Sequence, residues 1–220
     1  MRVTLHCAIV GFVLLGTIAS AQPTSSPSDR WDNRYDREMY IYGKEPIQFL
    51  RDRVAGLGGG KALCLAAGEG RNAVYLAQQG FDVTAVDISG VGLRKAAQLA
   101  AEQGVTLTTL VADLTTFDLG ESRWDLITAI YYYQPDLFPK IQKALRPGGR
   151  FLLETFSIDN PEIAPFGPKN PDYLARPNEL PSLLPNLRLR FYEDAVIDLH
   201  DGMHEGKGAI IRLIAQKPPE

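Results

Sequence analysis

The stretch Ala62-Leu63-Cys64-Leu65-Ala66-Ala67-Gly68-Glu69-Gly70-Arg71-Asn72-Ala73-Val74-Tyr75-Leu76-Ala77 decides the fold. Its first residues, Ala62 to Ala67, form an unbroken apolar run of strand length. Small residues then turn the chain into a helical pattern from Arg71 to Gln79. A strand that is apolar throughout is buried on both faces, and such strands belong to parallel sheets covered by helices. The small residues of the turn let a ligand approach backbone N–H groups at a helix N-terminus, as in nucleotide-type sites. Glycines also make ordinary strand-to-helix turns, so the turn alone does not decide between the two readings.

Downstream, the same alternation continues. Strands are expected at Asp82 to Val86, Leu107 to Val111, Leu126 to Ile130 and Arg150 to Thr155. Helices are expected at Gly92 to Gln103 and at Asp136 to Leu145, the second stopped by Pro147-Gly148-Gly149. Upstream, Pro46 suits the first position of a short helix that runs through Phe49 to Val54 and ends before Gly58-Gly59-Gly60. Past Thr155 come a proline-rich loop from Asn160 to Pro177 and a short helix near Asn178 to Leu184. Two alternating runs, Leu187 to Leu199 and Gly206 to Gln216, then read as an antiparallel pair. The fold class is α/β: a Rossmann-like doubly wound sheet, mostly parallel, with a C-terminal antiparallel strand pair and seven strands expected.

The chain has 220 residues and a formal charge of −3, which suits one domain and leaves no basic excess for a run of phosphates. No nucleic-acid partner is expected. Residues 1–21 read as a signal peptide: Arg2, an apolar run from Ala8 to Ile18, and Ala19-Ser20-Ala21 as a cleavage site. The run is about 11 residues, short for a membrane span, so membrane contact is expected only through an uncleaved leader. Export to the periplasm or exterior is the expectation, or a cytoplasmic chain if the leader is a misassigned start. Residues 22–30, rich in Ser and Pro, read as a flexible tether, and 31–220 as the domain, expected to be monomeric. Cys64 is alone beyond the leader and falls in an apolar strand, where an inert core role is expected.

Two acidic residues extend the nucleotide reading. Asp87 ends the strand after the glycine turn, where Rossmann-type folds place an acidic residue against ribose hydroxyls. Asp113, just past the next strand, can bond an adenine amino group or simply cap the turn at Leu114.

With these residues assembled, the chain resembles class I S-adenosylmethionine-dependent methyltransferases. Gly68 to Ala77, Val86-Asp87, Ala112-Asp113 and Leu145-Arg146-Pro147-Gly148-Gly149 look like their motif series. Trp31-Asp32-Asn33-Arg34-Tyr35 and Tyr42-Gly43-Lys44-Glu45-Pro46 resemble the leading segment of the tellurite-resistance and thiopurine methyltransferase branch, which folds over the cofactor as a lid. The resemblance implies S-adenosyl-L-methionine as cofactor and a small-molecule methyl acceptor. Tyr35, Tyr42, Gly43, Ala66, Gly68, Gly70, Asn72, Asp87, Asp113 and Ile130 become the cofactor-binding candidates, and no metal is expected. The chain departs from the family pattern at Cys64 and Ala66, which stand where the family has an acidic residue and a glycine. Ala66 is small enough to keep backbone approach close.

Methyl transfer mainly needs alignment and exclusion of water, because the cofactor's methyl is already activated. The segment Ile130-Tyr131-Tyr132-Tyr133-Gln134 should face that methyl, and it lacks the Asn/Asp-Pro-Pro-aromatic signature of enzymes that methylate amino groups of bases or proteins. A small thiol or chalcogen oxyanion is the expected acceptor, methylated without an obligatory protein base. His204, read in a hairpin turn beside Asp201 and Glu205, and Glu154 are the candidate catalytic bases. Two other classes compete: a cofactor-binding or degenerate non-catalytic envelope protein, and an NAD-dependent oxidoreductase. The glycine spacing and the terminal antiparallel pair speak against the second.

Overall fold

The computed structural model describes residues 26–219. The leader expected over 1–21 lies outside the described residues. Among the described residues no helix is long and apolar enough to cross a membrane.

The chain enters through helix α1 (Pro27–Tyr35) and α2 (Gln48–Val54), then alternates β1 (Gly60–Leu65), α3 (Arg71–Gln78), β2 (Phe81–Asp87), α4 (Gly90–Glu102) and β3 (Thr108–Val111). It continues through β4 (Trp124–Ile130), a 3₁₀ turn at Pro135–Leu137, α5 (Phe138–Ala144) and β5 (Leu145–Phe156). The short α6 (Asn160–Ile163) and α7 (Glu179–Leu183) precede the hairpin β6 (Arg188–Asp201) and β7 (His204–Gln216). Among the described residues the strands form one seven-stranded sheet in the order β3-β2-β1-β4-β5-β7-β6. β1 to β5 are parallel, and β7 runs antiparallel to both β5 and β6.

The period of two in a strand explains the layers. Leu63, Leu65, Ile127, Phe151 and Leu153 point to one face, where Phe138 and Ile141 of α5 and Leu180 of α7 cover them. Ala62, Cys64, Leu126 and Leu152 point to the other, beneath Phe49 and Leu50 of α2, Leu76 of α3 and Leu93 of α4. Cys64 is buried there, and burial pushes its thiol up to about 12, so it is core.

Three segments differ from the sequence-based expectation. The tether read over 22–30 turns helical at Pro27, because Ser26 and Asp29 form a reciprocal capping box. β5 begins at Leu145, ahead of Pro147, since Leu145 pairs with Trp124 before a bulge resets the register. His204 is not in the hairpin turn: Asp201 pairs with it, leaving Gly202 and Met203 as the turn, and His204 opens β7 with only 6% of its surface exposed.

The strand order reverses between β1 and β4, whose neighbours lead away in opposite directions. Open α/β sheets bind ligands in the crevice at the carboxyl ends of such a pair.

Candidate active site

That crevice is a cavity of about 880 Å³, inside the range of small-molecule sites. All ten residues expected at a cofactor site line it: Tyr35, Tyr42, Gly43, Ala66, Gly68, Gly70, Asn72, Asp87, Asp113 and Ile130. So does His204, whereas Glu154 is absent from the lining.

The floor is the β1–α3 turn. Ala66 has φ +51° and Gly68 φ +54°, so the chain passes through left-handed backbone twice within three residues. A Cβ on Gly68 would stand 2.7 Å from the Tyr35 hydroxyl, so glycine is what lets the lid settle on the turn. Gly70 serves packing instead: its Cβ would lie 2.4 Å from that of Ala96 on α4. Asn72 also has a structural task, its Oδ1 accepting the Ile47 N–H at 3.0 Å. Asp87 accepts the N–H groups of Gly68 at 2.7 Å and Ser89 at 2.8 Å. Burial raises its pKa, and those hydrogen bonds pull the other way. Asp113 accepts the backbone N–H and hydroxyl of Thr115 at 2.9 and 2.8 Å, and those bonds lower its pKa.

The roof is α1 and the turn after it. Asp32 accepts the Ser89 hydroxyl at 2.6 Å and the Val91 N–H at 3.1 Å, which ties α1 to the N-terminus of α4. Lys95 donates to the carbonyls of Arg37 and Met39 at 2.9 and 2.8 Å and to that of Tyr35 at 3.3 Å. It also pairs with Glu69, whose other oxygen accepts the Ile41 N–H at 2.8 Å. The backbone between Tyr35 and Tyr42 is thus held from below by the buried Glu69 and the half-buried Lys95. Their role was not legible locally, because neither Lys95 nor Glu69 lies near that segment in sequence.

At the far end stands a second network. Tyr131 follows β4 with φ +54°, an unfavourable conformation for a bulky residue. Its hydroxyl donates to Asp201 Oδ2 at 2.8 Å, and burial pushes the phenol well above its usual range. Arg71 donates to the Tyr42 carbonyl at 2.7 Å and reaches Asp201 at 3.4 Å. The other oxygen of Asp201 lies 3.2 Å from His204 Nδ1. Sequence reasoning named Asp201 only as a neighbour of His204 and gave Arg71 no role. Glu154 is corrected: its carboxylate is 1% exposed and accepts Arg212 Nε at 2.7 Å. Burial raises its pKa against the pull of that guanidinium. It pairs with Arg212 inside the sheet, beside Tyr131, and is not among the lining residues of the cavity.

Residues 62–149 match a methyltransferase domain family. Hemagglutinin 1 of Eikenella corrodens is 27% identical over 181 residues, 77% of this chain and 58% of that protein, so the chain spans little more than half of this relative's length. TehB from Haemophilus influenzae has a similar structure at TM-score 0.64 and 20% identity, with 86% of this chain and 66% of that chain covered. A structure described as the conversion of a disulfide bond into a thioacetal group during echinomycin biosynthesis matches at TM-score 0.63 and 17% identity, covering 87% and 91%. At such identities the structures show a common fold. The domain match and the shared fold both make the chain similar to methyltransferases. Residues 62–149 are thus similar to a methyltransferase domain, set in a fold that the chain shares with TehB.

Proposed function

We propose that this protein transfers a methyl group from S-adenosylmethionine to a small-molecule acceptor, and that the acceptor is a thiol in preference to a chalcogen oxyanion. One observation carries the first part: Asp87 grips the Gly68 N–H at the β1–β4 switch point, on a floor shaped so that a Cβ at Gly68 would strike the lid. The residues fit the cofactor. Asp87 would meet the ribose hydroxyls, the backbone at Ala66 and Gly68 the amino-acid end, and Asp113 the adenine, beneath Tyr35 and Tyr42. Bound there, the sulfonium supplies an already activated methyl group. The rings of Tyr131 and Tyr132 line the cavity, exclude water and offer π faces to a cation.

Charge at the other end supports the second part. Asp172 and His204 line the cavity, and Asp201 sits behind His204. Among the guanidiniums of the lining, Arg71 is paired with Asp201 and Arg34 donates to the Tyr42 hydroxyl. An oxyanion gains little there, whereas a neutral thiol loses little.

The test is calorimetric titration of the chain from Gln22 onward with S-adenosylmethionine, S-adenosylhomocysteine and NAD. Micromolar binding of the first two is expected. Binding of NAD alone refutes the proposal, and binding of none makes the protein a non-catalytic binder.

A further inference from the structure

His204 is an imidazole placed where an apolar ring would pack at less cost. The rings of Tyr131, Phe156, Tyr42 and Phe166 surround it at centroid distances of 4.6, 5.2, 5.4 and 5.5 Å. Burying a polar ring among aromatics is unfavourable unless its nitrogens find partners. Nδ1 has one in Asp201 Oδ1 at 3.2 Å. Assigned from that partner, the neutral tautomer carries its proton on Nδ1 and leaves a lone pair on Nε2. Among the described residues Nε2 has no hydrogen-bond partner, and the ring lines the cavity. Asp201 in turn is held by Tyr131 and Arg71, so two segments outside the hairpin fix the orientation of the carboxylate.

We infer that Asp201 and His204 are a general-base pair, His204 Nε2 being the base and Asp201 its positioning residue. The acceptor is then a neutral, largely apolar molecule with a weakly acidic X–H group, a thiol or a phenol, and not a preformed anion. This rests on the methyltransferase reading above and departs from the expectation of transfer without a base. In the step, the acceptor's proton moves to His204 Nε2 while its electron pair forms the new bond to the methyl carbon. The carbon–sulfur bond breaks with its pair left on sulfur, which loses its positive charge. The imidazolium is stabilised by Asp201 and afterwards releases its proton to solvent.

The charges facing the pair favour this direction of transfer. Arg71 of α3 and the Tyr131 hydroxyl both donate to Asp201, and Glu154 of β5, itself paired with Arg212, lies behind Tyr131. Tyr42 covers the other face of the ring. On the hairpin itself His200 and Glu205 pair with one another at 2.8 Å and are exposed, so they take no part.

4-Nitrophenol, colourless when neutral and yellow as the anion, reads the proton without any methyl transfer. Titrated into the full chain about one pH unit below the probe's own pKa, it is expected to turn yellow on binding the wild type. It is expected to bind colourless to His204→Gln, with His204→Asn as a second variant. Asp201→Asn should weaken the colour and shift its pH profile. With a phenol acceptor, kcat/KM of His204→Gln should fall about 10²- to 10⁴-fold. A probe that stays colourless on the wild type, turns equally yellow on His204→Gln, or fails to bind at millimolar concentration overturns the inference. S-adenosylhomocysteine calorimetry on the same samples separates the two readings. If the wild type does not bind it, the methyltransferase reading fails while the colour still decides the base pair. If all variants bind it alike, any loss of colour belongs to the base pair and not to the fold.

Discussion

Ala66 holds a left-handed backbone, φ +51°, at the position where related turns carry glycine. That conformation costs an L-residue roughly 1–2 kcal/mol, while glycine there adds roughly 0.5–1 kcal/mol of unfolded-chain entropy. Ala66→Gly is therefore expected to stabilise the fold by about 0.5 kcal/mol, read as a higher urea midpoint at unchanged slope. A lower midpoint would show that the alanine methyl packs well enough to outweigh the strain. At this scale the sequence was legible where a residue's task is local and opaque where it is not. Asp87 ends its strand beside the turn it grips, and its place could be read directly. Glu154 could not, because what neutralises it is Arg212 on a strand far along the chain. The burial of His204 depends on rings from the Tyr42 turn, the end of β4, the end of β5 and the loop at Phe166, which no local pattern brings together.

Among elements, the contact that holds the roof of the cavity is α1 on α4. The Ser89 hydroxyl and the Val91 N–H hold the Asp32 carboxyl below its ordinary value of 3.8. A depressed carboxyl contributes stability that is complete above the unfolded-chain pKa and is lost as pH falls through the folded one. The lid should accordingly loosen only in strong acid. Asp32→Asn is expected to loosen it at neutral pH as well, because the amide gives the helix N-terminus no negative charge. Tryptophan fluorescence reports this cleanly: Trp31 on α1 is 40% exposed, while Trp124 is 3% exposed in the core. A red shift and stronger acrylamide quenching are expected in the variant, and spectra identical to the wild type would refute the clamp. The strands were readable as apolar runs, but α1 was hidden by composition. Ser and Pro suggest a tether, although Ser26-Pro27-Ser28-Asp29 also spells a capping box and a favoured first-turn proline.

For the whole molecule, the alternation of apolar runs and helical stretches gave the strand order's logic, and the terminal hairpin completed it at β7 and β6. What the alternation could not give is the meeting of distant ends. A leader over residues 1–21 remains our proposal: mass spectrometry of the protein from its native host is expected to find Gln22 at the N-terminus, and an intact Met1 would refute it. The hairpin tip bears on how such a chain matures. A Cβ on Gly202 would fall 2.3 Å from the Tyr42 carbonyl carbon, so the last turn of the sheet is wedged under the first turn after the lid. During synthesis the glycine floor, Asp87 and the lid leave the ribosome long before Gly202 and His204 do. A nascent chain therefore holds the floor and the roof of the crevice well before His204 and Gly202 emerge, and that end of the cavity closes only with the final hairpin.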